Sequence, residues 1–163
     1  MKLITLNTWC GKIYEPLTKF IESNANDTDV FCFQEIRNGN YVDLPERDEE
    51  VTNLFNNLEN ILPNFNGYYT EMVQGVGIAT FVKKNIEIEK INSHTILFSE
   101  ELVDVNVMNN LKPFPRVIQI TTLKENLSIL NFHGVPGNPK KDTKERALQT
   151  KRLLIRKNKL GQA

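Results

Sequence analysis

The sequence feature that most constrains the fold is the short apolar run Val30–Phe33, which follows a polar turn at Asn24–Asp29. An unbroken run of β-forming residues is typical of a strand buried on both faces, whereas a half-exposed strand alternates apolar and polar residues. The run stops abruptly at Gln34 and Glu35, which we interpret as the end of the strand. A chain with such a strand must place other structural layers on both of its sides.

The remaining periodicities predict more strands than helices. The predicted strands are Lys2–Asn7, Val30–Phe33, Gly67–Glu71, Val76–Val82, Ile86–Ile91, Arg116–Leu123 and Leu127–Phe132. The predicted helices begin at Pro16, with Leu17, Phe20 and Ile21 on one face, span Val51–Leu62, and begin near Asp142, with Glu145 as a capping partner. Because strands outnumber the helices that could connect parallel neighbours, we predict a mixed α/β sandwich with helices outside packed sheets.

The length of the chain suits one domain with a substantial core, and no repeat, low-complexity tract or linker divides it. We therefore assign residues 1–163 to a single domain. No apolar run approaches the roughly 18 residues that a membrane span requires, and the first residues do not resemble a secretory signal. With only two cysteines, Cys10 and Cys32, we expect reduced thiols and a cytoplasmic protein.

Charge is distributed unevenly along the chain, although the formal net charge is zero. The stretch Lys140–Lys159 contains nine Lys and Arg residues against two Asp and Glu, so residues 1–139 carry a net charge of −7. A basic stretch of this kind indicates either a surface that binds phosphates or nucleic acid, or a solvated helix face near a chain end. The charge pattern alone does not choose between them.

Polar residues stand at the ends of two predicted strands, Asn7 on the first and Glu35 on the second. In α/β sheets the carboxyl ends of strands are the usual place for ligands. The Glu35 carboxylate would suit Mg²⁺, a hard cation that prefers oxygen ligands, and the Asn7 amide could hold that carboxylate or a phosphate oxygen. The ordinary alternatives are a strand-end glutamate that contacts solvent or a cation, and an asparagine that forms a turn.

His133 follows the last predicted strand, at the same kind of edge. A histidine there could protonate a leaving oxygen or stabilise charge on a phosphoryl group. The alternative is a partly buried, hydrogen-bonded histidine with no catalytic role.

Other chemistries are poorly supported by the sequence. The cysteines and histidines show no zinc-pair spacing, Cys32 lies inside an apolar strand, and neither a G-x-S-x-G elbow nor a G-x-x-x-x-G-K-[ST] loop occurs. Gly75 and Gly77 are too few for a dinucleotide loop and indicate a close backbone approach or a bulge instead.

Three motifs taken together, "LITLNTW", "DTDVFCFQE" and "SILNFHG", resemble the endonuclease/exonuclease/phosphatase superfamily. "GVGIATFVKK" resembles a central strand of that group, and "ERALQTKRLL" resembles the helix that follows its histidine strand. The Gln-Glu pair after a buried strand is the most specific element. The resemblance covers most of the 163 residues.

The resemblance implies a four-layer α/β sandwich, with two mixed sheets between helices, that hydrolyses a phosphate ester with an activated water. It implies Mg²⁺ (or Mn²⁺) as the cofactor and Glu35 as the metal-binding glutamate. Asn7 matches the asparagine beside that metal, with a metal-site and catalytic role, and His133 matches the catalytic histidine. Asn131 and Arg116 lie in matching strands, without firm roles. The implied partner is a phosphate-ester substrate, with nucleic acid as one candidate.

The sequence departs from the superfamily in lacking its Gly-Asp-Phe-Asn segment and its Ser-Asp-His segment. We therefore expect a sandwich that is incomplete at the C-terminus and a hydrolase with impaired activity. One alternative function is a non-catalytic module that binds phosphate or nucleic acid through Lys140–Lys159. Another is a regulatory partner that a second chain completes.

Overall fold

The structure is a computed structural model that describes residues 1–39, 49–73, 75–98, 115–124, 127–135 and 142–160. A first sheet has the spatial order β1-β2-β4-β3, and a second sheet has the order β5-β6-β7. The strands are β1 (Leu3–Asn7), β2 (Val30–Arg37), β3 (Phe65–Val73), β4 (Val76–Lys83), β5 (Ile88–Leu97), β6 (Arg116–Leu123) and β7 (Ser128–Phe132). The helices are a 3₁₀ turn (Trp9–Gly11), α1 (Tyr14–Ala25), α2 (Leu54–Ile61) and α3 (Lys144–Leu160).

Helices cover the outer face of each sheet. On the first sheet, the alternate β2 residues Phe31 and Phe33 are fully buried in a cluster with residues of α1 and α2. On the second sheet, Ile118 belongs to a cluster against which Leu148 and Leu153 of α3 pack. The described residues therefore form the four layers of the predicted α/β sandwich, which confirms that prediction. No helix in the described ranges is long and apolar enough to cross a membrane.

The two sheets pack face to face through apolar and polar side chains. Val30 and Cys32 of β2 form an apolar cluster with Leu123 and Ile129 of the second sheet. This arrangement explains the unbroken apolar run in β2, because alternate residues face the helices on one side and the second sheet on the other.

Strand β2 is longer than predicted, because it continues through Glu35 to Arg37 instead of ending at Phe33. Pairing with β4 shifts in register between Gln34 and Ile36, and Glu35 adopts a positive φ of 58°. This β-bulge carries the strand past its polar residues and turns the Glu35 side chain outward. The prediction that the strand ends at Phe33 was wrong, because the two polar residues that follow mark a bulge within the strand.

Gly77 of β4 pairs with Ile36, directly beside this bulge. A Cβ atom at Gly77 would lie 2.1 Å from the carbonyl oxygen of Thr70 on β3, so only glycine fits. Pairing between β3 and β4 is also irregular, between Glu71 and Val73. The predicted close backbone approach and the predicted bulge therefore both occur.

Other details of the elements also differ from the predictions. Strand β5 extends to Leu97 instead of ending at Ile91. Phe20 is 44% exposed, so the predicted apolar face of α1 buries only Leu17 and Ile21. At the start of α3 the Thr143 hydroxyl accepts the N–H of Arg146 at 3.2 Å, which makes Thr143 the capping residue.

Candidate active site

Asn7 and Glu35 meet because β1 and β2 are parallel neighbours, with Asn7 opposite Gln34. The Asn7 Nδ2 donates to Glu35 Oε1 at 2.9 Å, and the Asn7 Oδ1 accepts the backbone N–H of Trp9 at 2.9 Å. The bond from Trp9 fixes the orientation of the amide, because the oxygen must face the backbone donor and the NH₂ group must face the carboxylate. Asn7 is thus both a turn former and a partner of Glu35.

Thr8 supports the bulge that presents Glu35. Its backbone N–H donates to the Gln34 carbonyl at 2.9 Å, and its hydroxyl lies 2.9 Å from the carbonyl oxygens of both Gln34 and Glu35. A positive φ is costly for a residue other than glycine, and such conformations persist where surrounding contacts impose them, often at functional sites. Thr8 lies within the motif "LITLNTW", but this role was not predicted from the sequence.

His133 leaves the end of β7 beside the same carboxylate. Its Nε2 lies 3.5 Å from Glu35 Oε1, which is longer than an ordinary hydrogen bond. Burial lowers the pKa of His133, the positive charge of Arg116 lowers it further, and Glu35 opposes both effects. The His133 imidazole is therefore neutral near neutral pH. The structure brings Asn7, Glu35 and His133 to one edge.

Arg116, at the start of β6, adds a buried positive charge to this edge. It is 6% exposed, its Nη1 lies 3.8 Å from Met72 Sδ, and no described residue accepts a hydrogen bond from its Nε. Burial lowers the pKa of the guanidinium, and the charge of Glu35 opposes that shift. Arginine nevertheless stays protonated in proteins. A buried cation with unused donors suits an anion such as a phosphate.

Gln149 of α3 fixes the backbone that directly follows His133. Its Oε1 accepts the N–H of Val135 at 2.8 Å, and its side chain is buried. A Cβ atom at Gly134 would lie 3.3 Å from Gln149 Nε2, so the glycine allows this close approach. The role of Gln149 was not predicted from the sequence, where the glycine after His133 is the feature that indicates a close approach.

The described residues at this edge offer one carboxylate, that of Glu35, as a ligand for a magnesium or manganese ion. Within the parts of the chain that the structure describes, no three His, Cys, Asp or Glu side chains cluster as a metal cage. Mg²⁺, however, commonly keeps several waters and uses one or two carboxylates together with substrate phosphate. The Glu35 side chain is 27% exposed and could supply that one carboxylate. The metal and catalytic roles of Glu35, Asn7 and His133 stay predictions.

An exposed aromatic residue follows Asn7 in the chain. Trp9 is 56% exposed, and the Nζ of Lys12 lies 5.2 Å from the centre of its ring. Trp9, Cys10 and Gly11 all have positive φ, from 51° to 78°, so the turn holds Trp9 in an unusual backbone conformation. An aromatic ring and a cation together can bind a nucleic-acid base and its phosphate.

One mixed sheet and one sheet that is antiparallel in the described residues pack between helices, with polar residues at one edge. This is the sandwich fold that the motifs indicated, except that the motifs implied two mixed sheets. Solved structures of TDP2 (tyrosyl-DNA phosphodiesterase 2), a member of the endonuclease/exonuclease/phosphatase superfamily, are similar to this chain. TDP2 from Caenorhabditis elegans matches with a TM-score of 0.59 and 15% identity, over 97% of this chain and 42% of that chain. A D. rerio TDP2 humanized by 14 mutations matches with a TM-score of 0.55 and 14% identity, over 99% and 56% of the two chains.

Because the sequence identities are low, these structural similarities establish the fold alone. The chain spans about half the length, or less, of the TDP2 chains it matches. The sequence matches no protein-family model and no curated protein. The resemblance seen in the motifs is thus confirmed at the level of the fold.

Proposed function

We propose that this chain is a phosphoester hydrolase that depends on Mg²⁺ or Mn²⁺. One observation carries the proposal: Glu35 Oε1 lies 2.9 Å from Asn7 Nδ2 and 3.5 Å from His133 Nε2, at the edge where strands of both sheets end. A carboxylate, an amide and an imidazole in this arrangement can bind a divalent ion and act on a phosphate. The shared fold with a superfamily of phosphoesterases supports the same function.

Each residue would contribute a separate part of the chemistry. Glu35 would hold the ion, with Asn7 orienting the carboxylate through its N–H group. When bound, the ion would neutralise negative charge on the phosphoryl oxygens, an effect of several kcal/mol. Arg116 would donate its unused N–H groups to the same phosphoryl group.

His133 has two possible roles, and its environment favours one of them. Protonating the leaving oxygen requires an imidazolium, which burial and the charge of Arg116 disfavour. A neutral imidazole can instead donate its N–H to a phosphoryl oxygen or accept a proton from the attacking water. We therefore assign His133 to charge stabilisation or water activation.

We also propose that turnover by this chain alone is weak. One imidazole does not provide both a separate base for water and a separate donor to the phosphoryl group. The other histidine of the chain, His94, lies on β5, where it pairs with Ile118 of β6. Strand β6 therefore lies between His94 and β7, the strand that leads to His133. Residues that act together lose most of the rate when some are missing.

A nucleic-acid phosphodiester is the substrate class that the surroundings favour. Trp9 and Lys12 lie beside Asn7, and the helix α3, which carries much of the basic stretch, anchors the backbone after His133. The name of TDP2 describes action on tyrosyl-DNA, so we include a phosphotyrosyl-ended oligonucleotide among the test substrates.

The test is hydrolysis of bis(p-nitrophenyl) phosphate and of oligonucleotides, with Mg²⁺ or Mn²⁺ and with EDTA. We expect slow, EDTA-sensitive turnover that Glu35→Gln lowers about 100-fold or more. Glu15→Gln is the matched control, because Glu15 is an exposed carboxylate paired with Lys19 on α1. Metal-dependent turnover that survives Glu35→Gln would contradict the proposed site.

The second candidate function is a non-catalytic module that binds phosphate or nucleic acid. It is favoured by the exposed lysines Lys144, Lys151 and Lys157 on α3. Binding to DNA that weakens steeply with salt, without metal-dependent turnover, would support this function over hydrolysis. A chain that is completed by a second polypeptide would instead gain turnover only when that partner is added.

A further inference from the structure

We propose that Gln34 and Asn131 are positioning residues, whose mutual hydrogen bond sets the distance between Glu35 and His133. The inference rests on the proposed function, because it names the residues that hold the two halves of that site together. Neither side chain would touch the substrate.

The pair forms a directional link between the two sheets. Gln34 Nε2 donates to Asn131 Oδ1 at 2.8 Å, between residues 97 positions apart. Asn131 Nδ2 in turn donates to the carbonyl oxygens of Ala79 at 2.9 Å and Phe33 at 3.2 Å. Gln34 is 8% exposed and Asn131 is 1% exposed, so water does not compete for these bonds. The amide of Asn131 is thus held by both β2 and β4.

The site needs such a link because its parts come from different sheets. Asn7 and Glu35 belong to the first sheet, whereas Arg116 and His133 belong to the second sheet. The apolar clusters between the sheets hold them together without directional preference, so they permit small sliding movements. A hydrogen bond has a preferred distance and angle, and it restricts such movements.

The positions of the two residues in the chain make them suited to this role. Gln34 directly precedes the bulged Glu35, and Asn131 lies two residues before His133. A shift of the pair therefore moves both functional side chains relative to each other. A misplacement of about 1 Å can cost about 100-fold in rate, even when the change is outside the reacting groups.

The experiment compares two intersheet hydrogen bonds of the same kind. The test variant is Gln34→Met with Asn131→Leu, which replaces both partners with apolar groups of similar size, so neither amide of the pair stays buried without the other. The carbonyl oxygens of Ala79 and Phe33 lose the Asn131 donor in this variant. The control is Gln119→Met with Thr70→Val, because Gln119 Nε2 donates to Thr70 Oγ1 at 2.8 Å and also joins the two sheets. Urea unfolding, kcat and KM are measured for both double variants.

We expect the test variant to unfold at a urea midpoint near that of the wild type. Its kcat should fall 10- to 100-fold while its KM changes less than threefold, and the control variant should keep its kcat. If kcat of the test variant stays at the wild-type level, or falls equally in the control, the pair is merely structural and the proposal is wrong.

A second measurement keeps the inference testable if the wild type shows no turnover, which would count against the proposed function alone. Crystal structures of the wild type and both variants give the Glu35 Oε1 to His133 Nε2 distance, which is 3.5 Å here. An increase of about 1 Å in the test variant but not in the control would support the positioning role. An unchanged distance would overturn it.

Discussion

Two buried arginines lie at strand ends in this protein, and their surroundings differ. Arg37, at the end of β2, is 2% exposed, and its Nη1 donates to Glu50 Oε2 at 2.6 Å. Arg116, at the start of β6, is 6% exposed and has Met72 Sδ as the acceptor for its Nη1. In both residues the Nε has no partner among the described residues, so the difference lies in the carboxylate.

We propose that the charge of Arg37 serves the fold, whereas the charge of Arg116 serves a ligand. Glu50 holds Arg37 against the segment that precedes α2, where Lys12 also approaches Glu50 at 3.9 Å. Arg116 instead shares its edge with Glu35 and His133, and we propose that an external anion completes its hydrogen bonds there. Burying a charge without a direct partner is costly, and a protein retains such a group where a ligand completes it.

The largest effect is expected when the paired arginine loses its carboxylate. Glu50→Gln keeps the shape of the side chain but leaves Arg37 as an uncompensated buried cation, so the free energy of unfolding should fall by about 3–5 kcal/mol. Urea denaturation measures this change. The control is Glu15→Gln, which breaks an exposed pair with Lys19 and should cost less than about 1 kcal/mol. A loss of stability as small as the control's would mean that Arg37 does not depend on Glu50.

The next effect concerns Arg116, which has no carboxylate partner among the described residues, and it should appear in activity instead of stability. Arg116→Met removes the proposed phosphoryl ligand, and kcat/KM should fall about 100- to 1000-fold, equivalent to about 2.7–4 kcal/mol of transition-state stabilisation. The stability of the variant should stay the same or rise, because an apolar residue replaces a buried charge. A variant that unfolds easily yet keeps its activity per folded molecule would reverse the two assignments.

The same contrast shows which features could be predicted from the sequence. Asn7, Glu35 and His133 were found because each follows a run of strand residues, and strand ends collect at sheet edges. Glu50 and Arg116 were not assigned, because their roles depend on which distant residue lies beside them. Nothing local distinguishes a paired buried arginine from an unpaired one.

Long-range geometry also explains the other features that the sequence did not reveal. The bulge at Glu35 depends on pairing with β4, where Gly77 allows the close approach of β3. The bond between Gln34 and Asn131 requires β7 to lie across β2. Local patterns predicted the strands and their order along the chain, but the packing of the two sheets decides which polar residues meet.

A third prediction tests whether an external anion completes Arg116. Inorganic phosphate at about ten times its dissociation constant should raise the free energy of unfolding of the wild type by about 1.4 kcal/mol. The Arg116→Met variant should lose this response, whereas Glu50→Gln should keep it, because Arg37 is not part of the proposed site. Thermal unfolding with and without phosphate, at constant ionic strength, is the measurement. Equal phosphate responses in wild type and Arg116→Met would remove the ligand interpretation.

The smallest effect extends the comparison to a buried group that can remain neutral by keeping its proton, whereas arginine remains charged. Cys32 of β2 is 3% exposed, and burial raises the pKa of its thiol to about 11 from an ordinary value near 9. Above pH 9 the thiol ionises in the unfolded chain before it does in the folded chain, so stability falls as pH rises from about 9 to 11.

Between pH 8 and pH 10 this difference amounts to about 1 kcal/mol. Cys32→Ala should lower stability at pH 8, because it leaves a small cavity, yet it should lose less further stability on the way to pH 10 than the wild type does. Urea unfolding of both proteins at the two pH values gives the difference in slope. Parallel curves would show that the folded chain tolerates a thiolate at this position. The site of Cys32 would then resemble that of Arg116, whose buried charge has no carboxylate partner in the described part of the chain.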